Sequence, residues 1–149
     1  MMFFSPDVVC LELPGTSKYL NILTACISEM LQRVEGLVEP EKTIYNIQLA
    51  VHEGCTNIVD HAYEHSNGRI VVTLTLNHDP YQLVVELFDT GQPFTPPEQH
   101  LMPGKAQIRG YGLFLMEQIM DEIRYDPMPG HNCWRLTKNL LTMPISAAQ

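Results

Sequence analysis

The stretch PEKTIYNIQLAVHEGCTNIVDHAY, from Pro40 to Tyr63, has a spacing that predicts one long helix starting after Pro40. Ile44, Ile47, Val51, Gly54, Ile58 and Ala62 recur at helical spacing and form one narrow apolar stripe, which must face a core. A polar stripe borders it: Glu53, Asn57 and His61 stand four residues apart, and at about 100° per residue they drift by only about 40° per step. Polar groups at the margin of a buried face suit the wall of a cleft. Asparagine is also a poor mid-helix residue, because its side chain competes for backbone hydrogen bonds. The same three residues suit a solvated helix flank, and this helix alone does not decide between the two.

The flanking segments supply the rest of the architecture. Upstream, Val8 to Leu13 reads as a strand, broken by Pro14-Gly15-Thr16. Thr16 or Ser17 is placed to cap a helix running to about Val34, with Leu20, Leu23, Ile27, Met30, Leu31 and Val34 on its apolar face and Gly36 closing it. Downstream, Ser66-Asn67-Gly68 turns the chain into a strand from Ile70 to Leu76. Asn77-His78-Asp79-Pro80 turns it again into a strand from Leu83 to Asp89, so the two form a hairpin. Thr90 to Arg109 carries Gly91, Pro93, Pro96, Pro97, Pro103 and Gly104 and reads as a long irregular segment, a kind usually functional or mobile in a compact domain. A third helix is predicted to begin at Gly110 to Gly112 and to end near Met120. Strands Ile123 to Tyr125 and Cys133 to Leu140 follow, around a turn at Pro127 to Gly130. This order predicts a single domain over residues 1–149 of the α+β class, a two-layer sandwich with helices on one face of a mixed β-sheet.

Composition narrows the function classes. The formal net charge is −8 and Lys and Arg are nowhere clustered, which argues against direct nucleic-acid binding. A single nucleotide stays compatible, because glycine-rich backbone and one metal ion hold phosphates without a basic patch. Cys10, Cys26, Cys55 and Cys133 are scattered and read as buried, reduced thiols of a cytosolic protein. Met1 to Pro6 lacks the basic flank and long apolar core of a signal peptide. No apolar run approaches the roughly 18 residues of a membrane span.

Two further clusters carry chemistry. Asp89-Thr90-Gly91 ends a buried strand. A carboxylate there accepts hydrogen bonds from a ligand amino group, and the glycine lets backbone approach closely; it also suits a plain strand-ending turn. Gly110-Tyr111-Gly112-Leu113 opens an amphipathic helix, with Lys105 and Arg109 just upstream. Glycines at a helix start let several N–H groups converge on an anion, although a flexible helix start needs glycines as well.

Taken in order, a helix with Glu53-x-x-x-Asn57, a hairpin ending in Asp89-x-Gly91 and Gly110-x-Gly112 on a helix resemble the GHKL (histidine-kinase-like) ATPase superfamily of gyrase, the heat-shock chaperone and histidine kinases. The similarity runs from about Ile47 to Leu140 and is strongest to the anti-sigma-factor serine kinases. The string from Glu53 to Tyr63 is similar to that family's N box, and Gly112-Leu113-Phe114-Leu115-Met116 with Met120-Asp121-Glu122 is similar to its last motif. The resemblance implies a Bergerat-type ATP-binding fold and, as cofactors, ATP and Mg²⁺. It implies that Glu53 is the general base and that Asn57 coordinates Mg²⁺ bridging the phosphates. His61 is then near the nucleotide and Asp89 accepts the adenine amino group in a pocket shaped by Gly91. Gly110, Tyr111, Gly112 and Leu113 offer backbone to the phosphates, Lys105 adds charge, and Thr90 to Arg109 forms an ATP lid. One departure stands out: the family's second glycine after Asp-x-Gly is Pro93 here, which lacks an N–H and stiffens the loop. The superfamily's late-strand threonine near adenine is fixed by no motif, and Thr137 stays unassigned.

The resemblance implies a cytoplasmic protein serine/threonine kinase that sequesters a sigma factor, phosphorylates a small anti-sigma antagonist and forms a homodimer. The alternative is a catalytically inactive module that binds ATP and acts only through protein–protein contacts. The presence of both Glu53 and Asn57 favours the enzyme, since a pure binder needs no base. A histidine kinase fragment fits less well, because the six histidines sit in no matching motif.

Overall fold

The computed structural model describes residues 5–63, 68–92, 108–128 and 130–144. Strand β1 spans Asp7–Pro14, helix α1 Leu20–Leu31, helix α2 Pro40–Asn57, strand β2 Arg69–His78, strand β3 Tyr81–Asp89, helix α3 Ile108–Ile119, strand β4 Glu122–Asp126 and strand β5 Asn132–Asn139. Thr16 Oγ1 accepts from Lys18 N–H at 3.4 Å and starts a 3₁₀ turn, Ser17–Tyr19, that leads into α1. The helix ends at Leu31, short of the predicted Val34, because the amides of Arg33 and Val34 bond back only three residues, to Met30 and Leu31. Gly36 then turns the chain at φ +74°, with the Met143 carbonyl oxygen where a β-carbon would stand. Helix α2 begins at Pro40 itself and not after it, since proline is tolerated at the first helical position; it is α-helical only to Asn57, and the turn Ile58–Ala62 is π-helical.

The strands form one sheet in the order β1-β2-β3-β5-β4, and each neighbouring pair is antiparallel. The sheet is therefore antiparallel throughout, not mixed as predicted. Two successive helices, α1 and α2, return the chain to the end of the sheet at which β1 finished, so β2 runs back along β1. The crossover β3-α3-β4 does leave two parallel strands, but β5 inserts between them and pairs antiparallel with both.

One face of the sheet is apolar and covered. Val72, Leu74 and Leu76 lie opposite Leu87, Val85 and Leu83, which continue into Trp134 and Leu136 of β5. All eight are buried, as the alternation within each strand requires. Gly54 lets α2 come down onto this face. A β-carbon there would stand 3.0 Å from Leu87 Cδ1, 3.4 Å from Met116 Cε and 3.7 Å from Leu136 Cδ1. The helices thus pack on one layer of an α+β sandwich, and α2 lies against both the sheet and α3.

All four thiols are free, but only Cys55 is buried; Cys10 is exposed and Cys26 and Cys133 are half-buried. The expectation of uniformly buried thiols is corrected by strand alternation, which puts Cys10 on the uncovered face. Burial pushes the Cys55 thiol from an ordinary 9.0 up to about 12. Below pH 9 both the folded and the unfolded chain keep this proton. Between the two values the unfolded chain ionises while the folded one does not, so stability falls as pH rises, by at most about 1.4 kcal/mol per unit from this group. Denaturant titrations from pH 8 to 11 should show a shallower decline in Cys55→Ala than in the wild type, and parallel curves would contradict this account.

Candidate functional site

The polar stripe of α2 faces α3. A β-carbon at Gly112 would stand 2.6 Å from Glu53 Oε2, so the carboxylate occupies the space a side chain would need there. One turn on, Asn57 is 7% exposed, and its Nδ2 donates to Met116 Sδ at 3.9 Å. Glu53 and Asn57 therefore oppose Gly112 and Met116, two positions four residues apart on α3. Sulfur is a weak acceptor, and among the described residues it is the only hydrogen-bond partner of the Asn57 side chain.

At the end of β3, Asp89 is 3% exposed. Its Oδ1 accepts from Gly91 N–H and from Asn132 Nδ2, each at 3.0 Å. Among the described residues no hydrogen bond engages Oδ2, so one carboxylate oxygen is fixed and the other is available to a donor. Asn132 also donates to the Gly91 carbonyl at 2.9 Å, while its own Oδ1 is buried with no partner among the described residues. Both neighbours of Nδ2 are acceptors, which fixes the orientation of the amide.

The helix and the Asp89 turn meet at the π-helical segment. A β-carbon at Gly91 would overlap the Ala62 carbonyl oxygen and come within 2.5 Å of Ala62 Cβ, and Gln92 N–H donates to that carbonyl at 3.2 Å. Single π turns are rare and frequent at functional sites. Here the turn directs the Ala62 carbonyl, left over at the helix end, toward the residues that follow Asp89. His61 lies half-buried within it.

Helix α3 begins at Ile108, before the predicted Gly110. The free amides of an α-helix are those of its first turn, which here end at Gly110, whereas the amides of Gly112 and Leu113 fall within the helix's own ladder. Leu113 is buried, and Tyr111 is exposed and stacks on Phe114 with ring centroids 6.2 Å apart. Lys105 and most of the predicted lid lie outside the described residues. The structure thus groups Glu53, Asn57 and Gly112, and separately Asp89 and Gly91, and joins the two groups through Ala62. Thr137 pairs with Val84 on the other face of the sheet. Sequence reasoning missed Asn132, which stands directly opposite Asp89 in the β3–β5 register. Its only sequence signal is its place just after the turn that opens the last strand.

No helix among the described residues is long and apolar enough to cross a membrane. No group of three or more His, Cys, Asp or Glu among them is arranged to hold a metal ion.

Residues 13–138 match the family model of the histidine kinase-like ATPase domain. The serine-protein kinase RsbW of Bacillus subtilis is 32% identical, over 79% of this chain and 77% of that protein. The RsbW of Bacillus velezensis is 29% identical, over 87% and 84%. Among solved structures, that of the RsbU and RsbW domains of a Mycobacterium tuberculosis protein superposes with a TM-score of 0.66 at 24% identity, over 93% of this chain and 33% of that longer one. The chain belongs to the histidine kinase-like ATPase domain family and, within it, to the ATP-dependent serine-protein kinases of the RsbW type.

Proposed function

We propose that this kinase sequesters a sigma factor and phosphorylates a small anti-sigma antagonist on a serine or threonine, as a cytoplasmic homodimer in a partner-switching pathway. The observation that carries the site reading is Asp89: a buried carboxylate with Oδ1 held by two donors and Oδ2 unengaged among the described residues. That geometry suits the exocyclic amino group of adenine. Gly91, pressed on Ala62, sets the distance between this point and the end of α2.

Asn57 fits the Mg²⁺ that accompanies ATP. Among the described residues its side chain has only a sulfur partner, and Mg²⁺ keeps most of its waters and takes one or two protein ligands alongside phosphate oxygens. When bound, the ion neutralises phosphate charge. The chain's own residues then do the following. Asp89 and Asn132 orient the base, and Asn57 and the amides at the start of α3 hold the phosphate end, with His61 nearby. Glu53 accepts the proton of the incoming hydroxyl. The oxygen of that serine or threonine hydroxyl forms a bond to the γ-phosphorus as the bond from that phosphorus to the bridging oxygen breaks and ADP leaves. For Gly112 and Leu113 to present their amides to phosphate, the first turn of α3 must open.

The test is transfer of label from γ-labelled ATP to the antagonist protein in the presence of Mg²⁺. One labelled hydroxyl residue is expected, and no transfer to any protein that the chain binds overturns the proposal. Titration calorimetry tests the metal site separately. Wild type should bind ATP more tightly with Mg²⁺ than with a chelator, by on the order of tenfold, and Asn57→Ala should erase that difference. An equal Mg²⁺ dependence in the variant removes Asn57 from the site.

A further inference from the structure

Tyr63 directly follows the π-helical turn and is 7% exposed. Its ring fills a slot between two glycine backbones that are themselves joined, Gly15 N–H donating to the Gly68 carbonyl at 2.7 Å. A β-carbon at Gly15 would stand 2.6 Å from Tyr63 Cδ2, and one at Gly68 would overlap the ring. The hydroxyl at the far end of the ring donates to the Arg69 carbonyl at 2.7 Å and accepts from Thr90 N–H at 3.0 Å, with Thr90 Oγ1 3.5 Å away. The ring therefore cannot shift without moving backbone on both sides, and its hydroxyl binds the residue immediately after Asp89.

We propose that Tyr63 is a positioning residue for base recognition: it locks the Asp89 turn to the end of the helix that carries Asn57, so that base and phosphates are met at a fixed spacing. Three backbone amides hold that turn. Gly91 N–H bonds to Asp89 itself, Gln92 N–H to Ala62, and Thr90 N–H to Tyr63. The last two originate in consecutive residues at the helix end. Without the Tyr63 hydroxyl, Thr90 N–H and the Arg69 carbonyl lose their partner. The turn then keeps its covalent path but not the aim of Asp89 Oδ2. The inference rests on reading Asp89 as the acceptor of the adenine amino group.

The experiment compares ATP with inosine triphosphate, which lacks the amino group, in the full chain. Tyr63→Phe keeps the ring in its slot and removes only the hydroxyl. The ratio of ATP to inosine triphosphate affinity should fall roughly five- to tenfold, with inosine triphosphate affinity within about twofold of wild type and the melting transition still cooperative. A wild-type ratio in Tyr63→Phe, or equal losses for both nucleotides, overturns the positioning role and leaves the reading of Asp89 standing. A wild type that does not distinguish the two nucleotides overturns the reading of Asp89 and the positioning role together. Independently of any variant, the Thr90 amide of the nucleotide-free wild type should be protected from hydrogen exchange, and rapid exchange there overturns the lock.

Discussion

Replacing Glu53 by Gln lowers phosphotransfer to the antagonist by at least about 100-fold while ATP affinity stays within roughly threefold, a shift below about 0.7 kcal/mol. The split follows from the placement of the side chain. Glu53 lies one turn before Asn57 on α2, with its carboxylate against the bare backbone of Gly112. A glutamine fits the same space and keeps an oxygen there, so the cleft and its phosphate end persist. What it lacks is a basic oxygen to take the hydroxyl proton. A serine hydroxyl is a weak nucleophile until it is positioned and deprotonated. Binding of the sigma-like partner should be unchanged, since it needs the folded surface and not the base. The measurement is single-turnover transfer at saturating ATP, paired with calorimetry. A variant that transfers at the wild-type rate shows that Glu53 is not the base.

Asp89→Ala weakens ATP binding by about 30- to 100-fold, or roughly 2–3 kcal/mol, the range expected for hydrogen bonds to a charged group. Two losses combine. The ligand amino group loses its acceptor, and Gly91 N–H and one donor hydrogen of Asn132 lose the oxygen that organises them. Asn132 keeps its bond to the Gly91 carbonyl, so the turn loosens without unfolding. Asp89→Asn should also weaken ATP, and wild type should prefer ATP to GTP, whose base presents a carbonyl to the carboxylate. Affinity within threefold of wild type in a folded Asp89→Ala would place the base elsewhere.

Local patterns made the elements legible. The period of two at Ile70, Val72, Leu74 and Leu76 and at Leu83, Val85 and Leu87 located the hairpin, and all seven face the core. The helical stripe from Ile44 to Ala62 located α2 and put Glu53 beside Asn57. Long-range pairing was not legible. Nothing in residues 132–139 says that this strand lies between β3 and β4. The antiparallel sheet and the Asp89–Asn132 contact both depend on that insertion. The start of α3 was displaced because Gly110 and Gly112 read as a glycine-rich helix start, yet Gly112 lies inside the helix, against Glu53 of α2, in an element that spans Ile108–Ile119. The π turn and the Tyr63 slot were hidden for a related reason: each is defined by backbone from a distant segment, Gly91 in one case and Gly15 with Gly68 in the other.

The strand insertion has a consequence for how the chain is made. During synthesis β3 emerges well before β5, the partner that lies between it and β4. Until β5 arrives, β3 presents an open edge, and Asp89 lacks Asn132. Closing that gap joins residues more than 40 positions apart, as the Asp89–Asn132 register shows, and such distant closures are the slow steps of folding. A nascent chain released before β5 would therefore carry an aggregation-prone sheet edge and an Asp89 carboxylate without its Asn132 partner.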